Sequence, residues 1–166
     1  MSNMNRAMLI GSIGAGKSTL TNALLGRKAE AVKTQALNYY DWIVDTPGEY
    51  TENPFFYKNI MATALEVTHV LYVQDCTKRK TIFPPGFSTG FNKLPIGVVT
   101  KSDSAQADVN TAIRQLRNAV PKGPIVISSS ISGKGIEEIR GLVKCHSFQE
   151  MKDYADSLPD DVVIFK

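Results

Sequence analysis

Gly11-Ser12-Ile13-Gly14-Ala15-Gly16-Lys17-Ser18 satisfies the pattern G-x-x-x-x-G-K-[ST] at every position. The apolar run Ala7-Met8-Leu9-Ile10 precedes it, and Lys17 to Leu25 follows with Leu20, Leu24 and Leu25 at helical spacing. A strand that feeds a helix through this loop is the context in which the pattern has a physical meaning. The glycines let the backbone curl until its N–H groups face inward and form a concave nest for anionic oxygens. The helix that opens beside Gly16 points the positive end of its dipole at the same place. Lys17 reaches the β- and γ-phosphates of a bound polyphosphate, the Ser18 hydroxyl is a ligand for Mg²⁺, and Thr19 extends the nucleotide-binding segment into the helix. A chain of this length and average composition shows the pattern by chance less than about once in a hundred.

Outward from the loop, apolar runs alternate with helical patterns, which predicts an α/β domain with a mostly parallel sheet. Residues 36–40 and 42–45 read as two adjacent strands joined by a tight turn, giving one antiparallel edge. Pro54 to Val67 reads as a helix with proline near its first turn. Strands follow at His69 to Asp75, Pro95 to Thr100 and Ile125 to Ser128. Helices follow at Asp108 to Val120 and Ile136 to Cys145, the latter the last clear helix. Pro84-Pro85-Gly86 breaks any long helix between the fourth and fifth strands, so the third helix of such a domain is shortened. The fold class is therefore an α/β, three-layer P-loop NTPase over residues 1–149. A tail over 150–166 ends in Val162-Val163-Ile164-Phe165 and is either docked or loose.

Two further motifs line up behind the loop. Asp45-Thr46-Pro47-Gly48 closes an apolar strand. A carboxylate there holds Mg²⁺ directly or through water, and Gly48 lets a backbone N–H approach the γ-phosphate. Thr34, between Lys33 and Gln35, supplies a hydroxyl that completes the metal shell when a γ-phosphate is present, a solvated loop threonine being the alternative. Thr100-Lys101-Ser102-Asp103 ends the fifth strand. The Asp103 carboxylate accepts from guanine N1–H and N2–H₂ together, and adenine would leave it unpaired. The Lys101 stem lies along the purine plane. Alternatively, Asp103 caps a following helix. Ser129-Ser130, before Gly133-Lys134-Gly135, braces the base edge through its backbone.

The order of these motifs resembles the Ras-like small GTPase fold over residues 6–146. Lys33-Thr34-Gln35-Ala36, then Asp45-Thr46-Pro47-Gly48-Glu49-Tyr50, then Pro84-Pro85-Gly86, resemble more narrowly the ethanolamine-utilisation and propanediol-utilisation P-loop proteins. That resemblance implies a gene neighbourhood coding for bacterial microcompartments. It also implies either acetate kinase activity or a part in microcompartment positioning, with shell or enzyme proteins as partners. Where Ras-like proteins place a water-positioning glutamine, this chain has Glu49, whose charge is repelled by a γ-phosphate.

The expected catalytic set is thus Lys17, Thr34, Gly48 and Glu49, the metal set Ser18, Thr34 and Asp45, and the cofactors Mg²⁺ with GTP or GDP, ATP being the alternative. Three functions compete. One is slow GTP hydrolysis coupled to a switch. Another is phosphoryl transfer to acetate, with Arg79 or Lys33 as the cation for the acetate carboxylate. The third is a nucleotide-gated scaffold with the apolar tail as its contact. Lys78-Arg79-Lys80 is otherwise a solvated basic loop.

Bulk properties agree with this reading. At 166 residues, 43% hydrophobic and 21% charged, the chain suits one globular domain. A chain of that size buries roughly two-thirds of its unfolded surface without disulfide or metal. A net charge of +3 without a basic block argues against nucleic acid as a main partner. Cys76 and Cys145 form no CxxC pair and fit reduced thiols, and His69 and His146 are too few for a metal site. Met1 to Asn5 is too short and polar for a signal peptide, and no run approaches the length of a membrane span, so the expected location is cytoplasmic.

Overall fold

The computed structural model describes residues 5–26 and 37–165. Thr34 and the rest of the Lys33–Ala36 stretch lie outside the described residues.

The chain runs β1 (Ala7–Ile10), α1 (Lys17–Leu25), β2 (Asn38–Tyr39), β3 (Ile43–Asp45), α2 (Gly48–Glu52), α3 (Tyr57–Ala64), β4 (His69–Asp75), β5 (Leu94–Thr100), α4 (Val109–Ala119), β6 (Pro124–Ile127), α5 (Ile136–Val143), α6 (Phe148–Asp156) and β7 (Val163–Phe165). One seven-stranded sheet has the order β2-β3-β1-β4-β5-β6-β7. The pairs β1–β3, β1–β4, β4–β5 and β5–β6 are parallel, and β2 and β7 pair antiparallel at the two edges. Sheets of this kind are covered on both faces, so their strands read as continuous apolar runs. Alternate β1 residues accordingly feed two cores. Ala7 and Leu9 pack with α1, α5 and α6 through Leu20, Leu24, Ile139, Leu142 and Met151. Met8 and Ile10 pack on the other face with Ile60 of α3 and Leu116 of α4.

The crossover from β4 to β5 contains only a 3₁₀ turn at Phe87–Gly90. Phe83, Phe87 and Phe91 pack around the buried Tyr72 ring there, in place of a longer helix. Three local expectations are corrected. The helix expected from Pro54 to Val67 is present but shorter, with α3 ending at Ala64 and its first turn tightened to 3₁₀. Asn53 leaves the helical region at φ −122 and accepts from Phe55 N–H, so Pro54–Phe56 is a 3₁₀ turn ahead of α3, while α2 is a separate short helix that starts at Gly48. The last helix is not α5. Ser147 accepts from Glu150 N–H while Glu150 accepts from His146 N–H, a reciprocal cap that starts α6. The sheet also has a second antiparallel edge, because Val163–Phe165 pairs with β6 in register Val126↔Val163.

His69 opens β4 and is fully buried. Its Nδ1 lies 2.8 Å from Thr68 Oγ1, and Nε2 meets no hydrogen-bond partner among the described residues. Burial lowers its pKa to about 4, with nearby carbonyls of Cys145 and Leu142 partly opposing and the charge of His146 reinforcing. The unfolded ring titrates near its ordinary 6.5, so between those values the unfolded chain binds the extra proton. The stability that neutral His69 contributes is complete above pH 6.5 and is lost as pH falls toward 4. Denaturant titrations at steps from pH 7 to 4 will show this decline, about 3 kcal/mol in all. In His69→Leu that component of the slope is absent.

Candidate nucleotide-binding site

The phosphate loop, the DTPG segment and the TKSD segment come from the C-terminal ends of β1, β3 and β5, where ligands bind in open α/β sheets. A separate groove of about 500 Å³ opens beside Asn5, Trp42, Lys144 and His146. It contains none of the motif residues.

Gly14 and Gly16 take φ of +79 and +96, left-handed values that a side chain would strain, and this lets the loop curl back on itself. Lys17 is almost fully buried, and its Nζ donates to Gly11 O at 3.0 Å and Ser12 O at 3.1 Å, so the ammonium spans the loop. Burial lowers its pKa below the ordinary value, and the carboxylates of Asp45 and Glu52 pull it partly back. Ser18 Oγ donates to Asp45 Oδ2 at 2.9 Å. This pair joins a hydroxyl and a nearly fully buried carboxylate from two different elements. Both atoms are hard oxygens, the donor type that suits Mg²⁺ carried by one carboxylate and a substrate phosphate.

The TKSD segment is bonded directly to the loop. Thr100 Oγ1 donates to Ala15 O at 2.7 Å, and Lys101 Nζ donates to Gly14 O at 3.0 Å. Lys101 takes the left-handed φ of +63, the one such non-glycine residue among those described. That geometry aims its ammonium back at both the loop and Asp75 Oδ2, 2.8 Å away. Thr77 donates to the other Asp75 oxygen through its N–H and its hydroxyl. Burial pushes the Asp75 carboxyl up, but Lys101 and Thr77 outweigh it and hold it below the ordinary value. In the sequence Asp75 reads only as a strand end.

Asp103 is exposed, and its Oδ1 accepts from Ser129 Oγ at 2.7 Å. It does not cap α4; that role belongs to Asp108, which accepts from Thr111 N–H. Ser129 thus meets the TKSD segment through its hydroxyl, while its backbone bonds to Gly133 and Lys134 in its own turn. Ser130 follows at the half-buried turn.

Gly48 lies flush against the loop. A Cβ built on it would fall 2.5 Å from Ile13 N and 2.6 Å from Ile13 Cα. Glu49 is exposed at the start of α2. Glu52, one turn further on, reaches the loop instead and accepts from Ile13 N–H at 2.6 Å. Thr51 accepts from Gly11 N–H at 3.1 Å. Neither contact is legible in the sequence, because both use backbone N–H groups that no residue pattern marks. Arg79 is exposed in the loop after β4, and Lys33 lies outside the described residues.

A phosphate cradle locked to a TKxD segment at the C-terminal edge of such a sheet defines a P-loop nucleotide-binding protein of the GTPase type. A family model described as "Ethanolamine utilisation - propanediol utilisation" matches residues 4–145, and the chain belongs to that PduV-EutP family. It is 40% identical over 115 residues to the "Probable acetate kinase EutP" of Salmonella typhimurium (strain LT2), covering 68% of this chain and 72% of that one. It is 32% identical to the propanediol utilization protein PduV of Citrobacter freundii, covering 82% and 91% of the two chains. Similarity extends to a "Probable GTP-binding protein EngB" of Caldanaerobacter subterraneus, 28% identical over 79% of this chain and 81% of that one. Among solved structures, a bacterial selenocysteine-specific elongation factor superposes with a TM-score of 0.62 at 20% identity, a likeness of fold. It covers 94% of this chain, which spans 29% of that structure's length. No helix among the described residues is long and apolar enough to cross a membrane.

Proposed function

We propose that this chain binds GTP with Mg²⁺ and hydrolyses it slowly, serving as a switch in ethanolamine or propanediol utilisation alongside a bacterial microcompartment. The observation that carries the reading is the junction between TKSD and the loop. Two hydrogen bonds tie Thr100 and Lys101 to Ala15 and Gly14, and Ser129 holds Asp103 on the same edge. A carboxylate preset in this way accepts guanine N1–H and N2–H₂ together, a pairing adenine does not offer.

In hydrolysis a water oxygen bonds to the γ-phosphorus as the bond to the β,γ-bridging oxygen breaks, giving GDP, inorganic phosphate and a proton released to solvent. Lys17 and the loop N–H groups hold the phosphates, and Ser18 with Asp45 would hold Mg²⁺, which neutralises charge on the transferring group. Thr34 is assigned to the same metal shell from the sequence alone. Gly48 brings backbone close to where the γ-phosphate rests. Glu49, exposed and anionic, is poorly suited to orient water against a phosphate, so turnover should be slow.

A second reading, γ-phosphoryl transfer to acetate, is favoured by the likeness to relatives named "Probable acetate kinase EutP", at 40% identity. It needs a cation for the acetate carboxylate, with Arg79 and Lys33 the residues proposed for it. One assay separates the two: protein with Mg²⁺ and either GTP or ATP, with and without acetate, following phosphate and acetyl phosphate. The switch reading expects GTP-dependent phosphate release on the order of 10⁻³ per second or slower, unaffected by acetate. Acetyl phosphate made from either nucleotide would overturn it.

A further inference from the structure

The helix α2 lies across the phosphate loop as a strap. Its first residue, Gly48, rests on Ile13 so closely that a methyl group has no room. Thr51, fully buried, accepts from Gly11 N–H at the loop's start. Glu52 accepts from Ile13 N–H, at 2.6 Å the shortest of these contacts. The loop is built to offer N–H groups and an ammonium to an anion, and one of those N–H groups is already bonded to an anion from the chain itself. The Glu52 carboxylate also acts electrostatically on Lys17, so it shares the cradle's charge environment.

We propose that Glu52 is a tethered stand-in for the terminal phosphate, and that it sets the preference of this site between nucleoside diphosphate and triphosphate. The proposal rests on the nucleotide-binding reading above. A diphosphate is held by the inner part of the loop and by Lys17, and it leaves Ile13 N–H to Glu52. A triphosphate brings a further anionic group against Gly48 and Ile13. Glu52 and Ile13 are both exposed, so the exclusion is local: one N–H cannot be given to two anions at once, and like charges at contact distance repel even beside solvent. The carboxylate must leave, and the strap moves with it, since Gly48, Thr51 and Glu52 belong to one short helix. Release of that helix is then the event that reports the γ-phosphate. The affinity lost by triphosphate in displacing Glu52 is the energy that holds the strap closed in its absence.

Calorimetric titration with Mg²⁺ of GDP, and of the GTP analogue carrying a β,γ-imido bridge, tests this on the full chain, on Glu52→Gln and on Glu52→Asp. Glutamine removes the charge while keeping the reach, and aspartate keeps the charge but draws it back from Ile13 N–H by one methylene. The expected result is that the analogue-to-GDP affinity ratio rises about tenfold in Glu52→Gln and in the same direction in Glu52→Asp, with GDP affinity changed less than about twofold. A purely structural role for Glu52 would move both affinities together and leave the ratio fixed, and that result overturns the proposal. If wild type binds neither nucleotide, the nucleotide reading falls and the proposal falls with it. If wild type binds both and the ratio is unchanged in both variants, only the role of Glu52 is refuted.

Discussion

Replacing Lys17 with methionine lowers affinity for magnesium-bound GTP and GDP at least about a hundredfold, close to 3 kcal/mol. The size follows from position. The ammonium is buried, donates to Gly11 O and Ser12 O, and is the cation that spans the loop. Methionine keeps most of the apolar stem packed but supplies neither the charge nor the donors, so phosphate oxygens face one less fixed partner in a low-dielectric pocket. The protein itself should stay folded, because the side chain's burial already lowers the ammonium's pKa and its removal relieves that desolvation. Equilibrium titration with a fluorescent GDP, paired with thermal unfolding, checks both halves of the prediction. Retained affinity would mean that the loop is not what holds the phosphates.

Asp103→Asn is the second large effect. In the proposed reading the carboxylate accepts two guanine donors at once, and Ser129 holds it in place for that. Asparagine offers one acceptor and turns a donor toward guanine's own donors. Loss of a charge-assisted bidentate pair is worth about 3 kcal/mol, so GTP affinity should fall about a hundredfold. ATP affinity, which never used that carboxylate, should change little. The GTP-to-ATP ratio should therefore collapse toward unity in a competition titration. A variant that loses both nucleotides equally would show that Asp103 supports the loop rather than reading the base.

The sequence carried the parts of this molecule that depend on local chemistry. The loop from Gly11 to Ser18 is legible because its glycines, lysine and serine each have a single geometric reason to be there. Strand positions at β1, β4, β5 and β6 follow from apolar runs, since a sheet covered on both faces needs them. What stayed hidden depends on partners distant in the chain. Glu49 and Glu52 are the same residue type a few positions apart, and only the start of α2 at Gly48 turns one outward and the other onto Ile13 N–H. Asp75 is a strand end in sequence, yet in space it is the counter-charge of Lys101. The short helix α2 stayed hidden because Gly48-Glu49-Tyr50-Thr51-Glu52 carries no apolar periodicity to announce it. The α6 cap at Ser147 and Glu150 was readable as a cap, but the pairing of Val163 with Val126 was not. A three-residue strand has no periodicity to announce its register.

The most direct test of the whole account is a side-by-side titration of wild-type protein with GTP, GDP, ATP and ADP in magnesium buffer. The account predicts saturable one-to-one binding of the guanine nucleotides, at least about tenfold tighter than that of the adenine pair. Absence of binding by all four nucleotides, or tighter binding of ATP than of GTP, would contradict it.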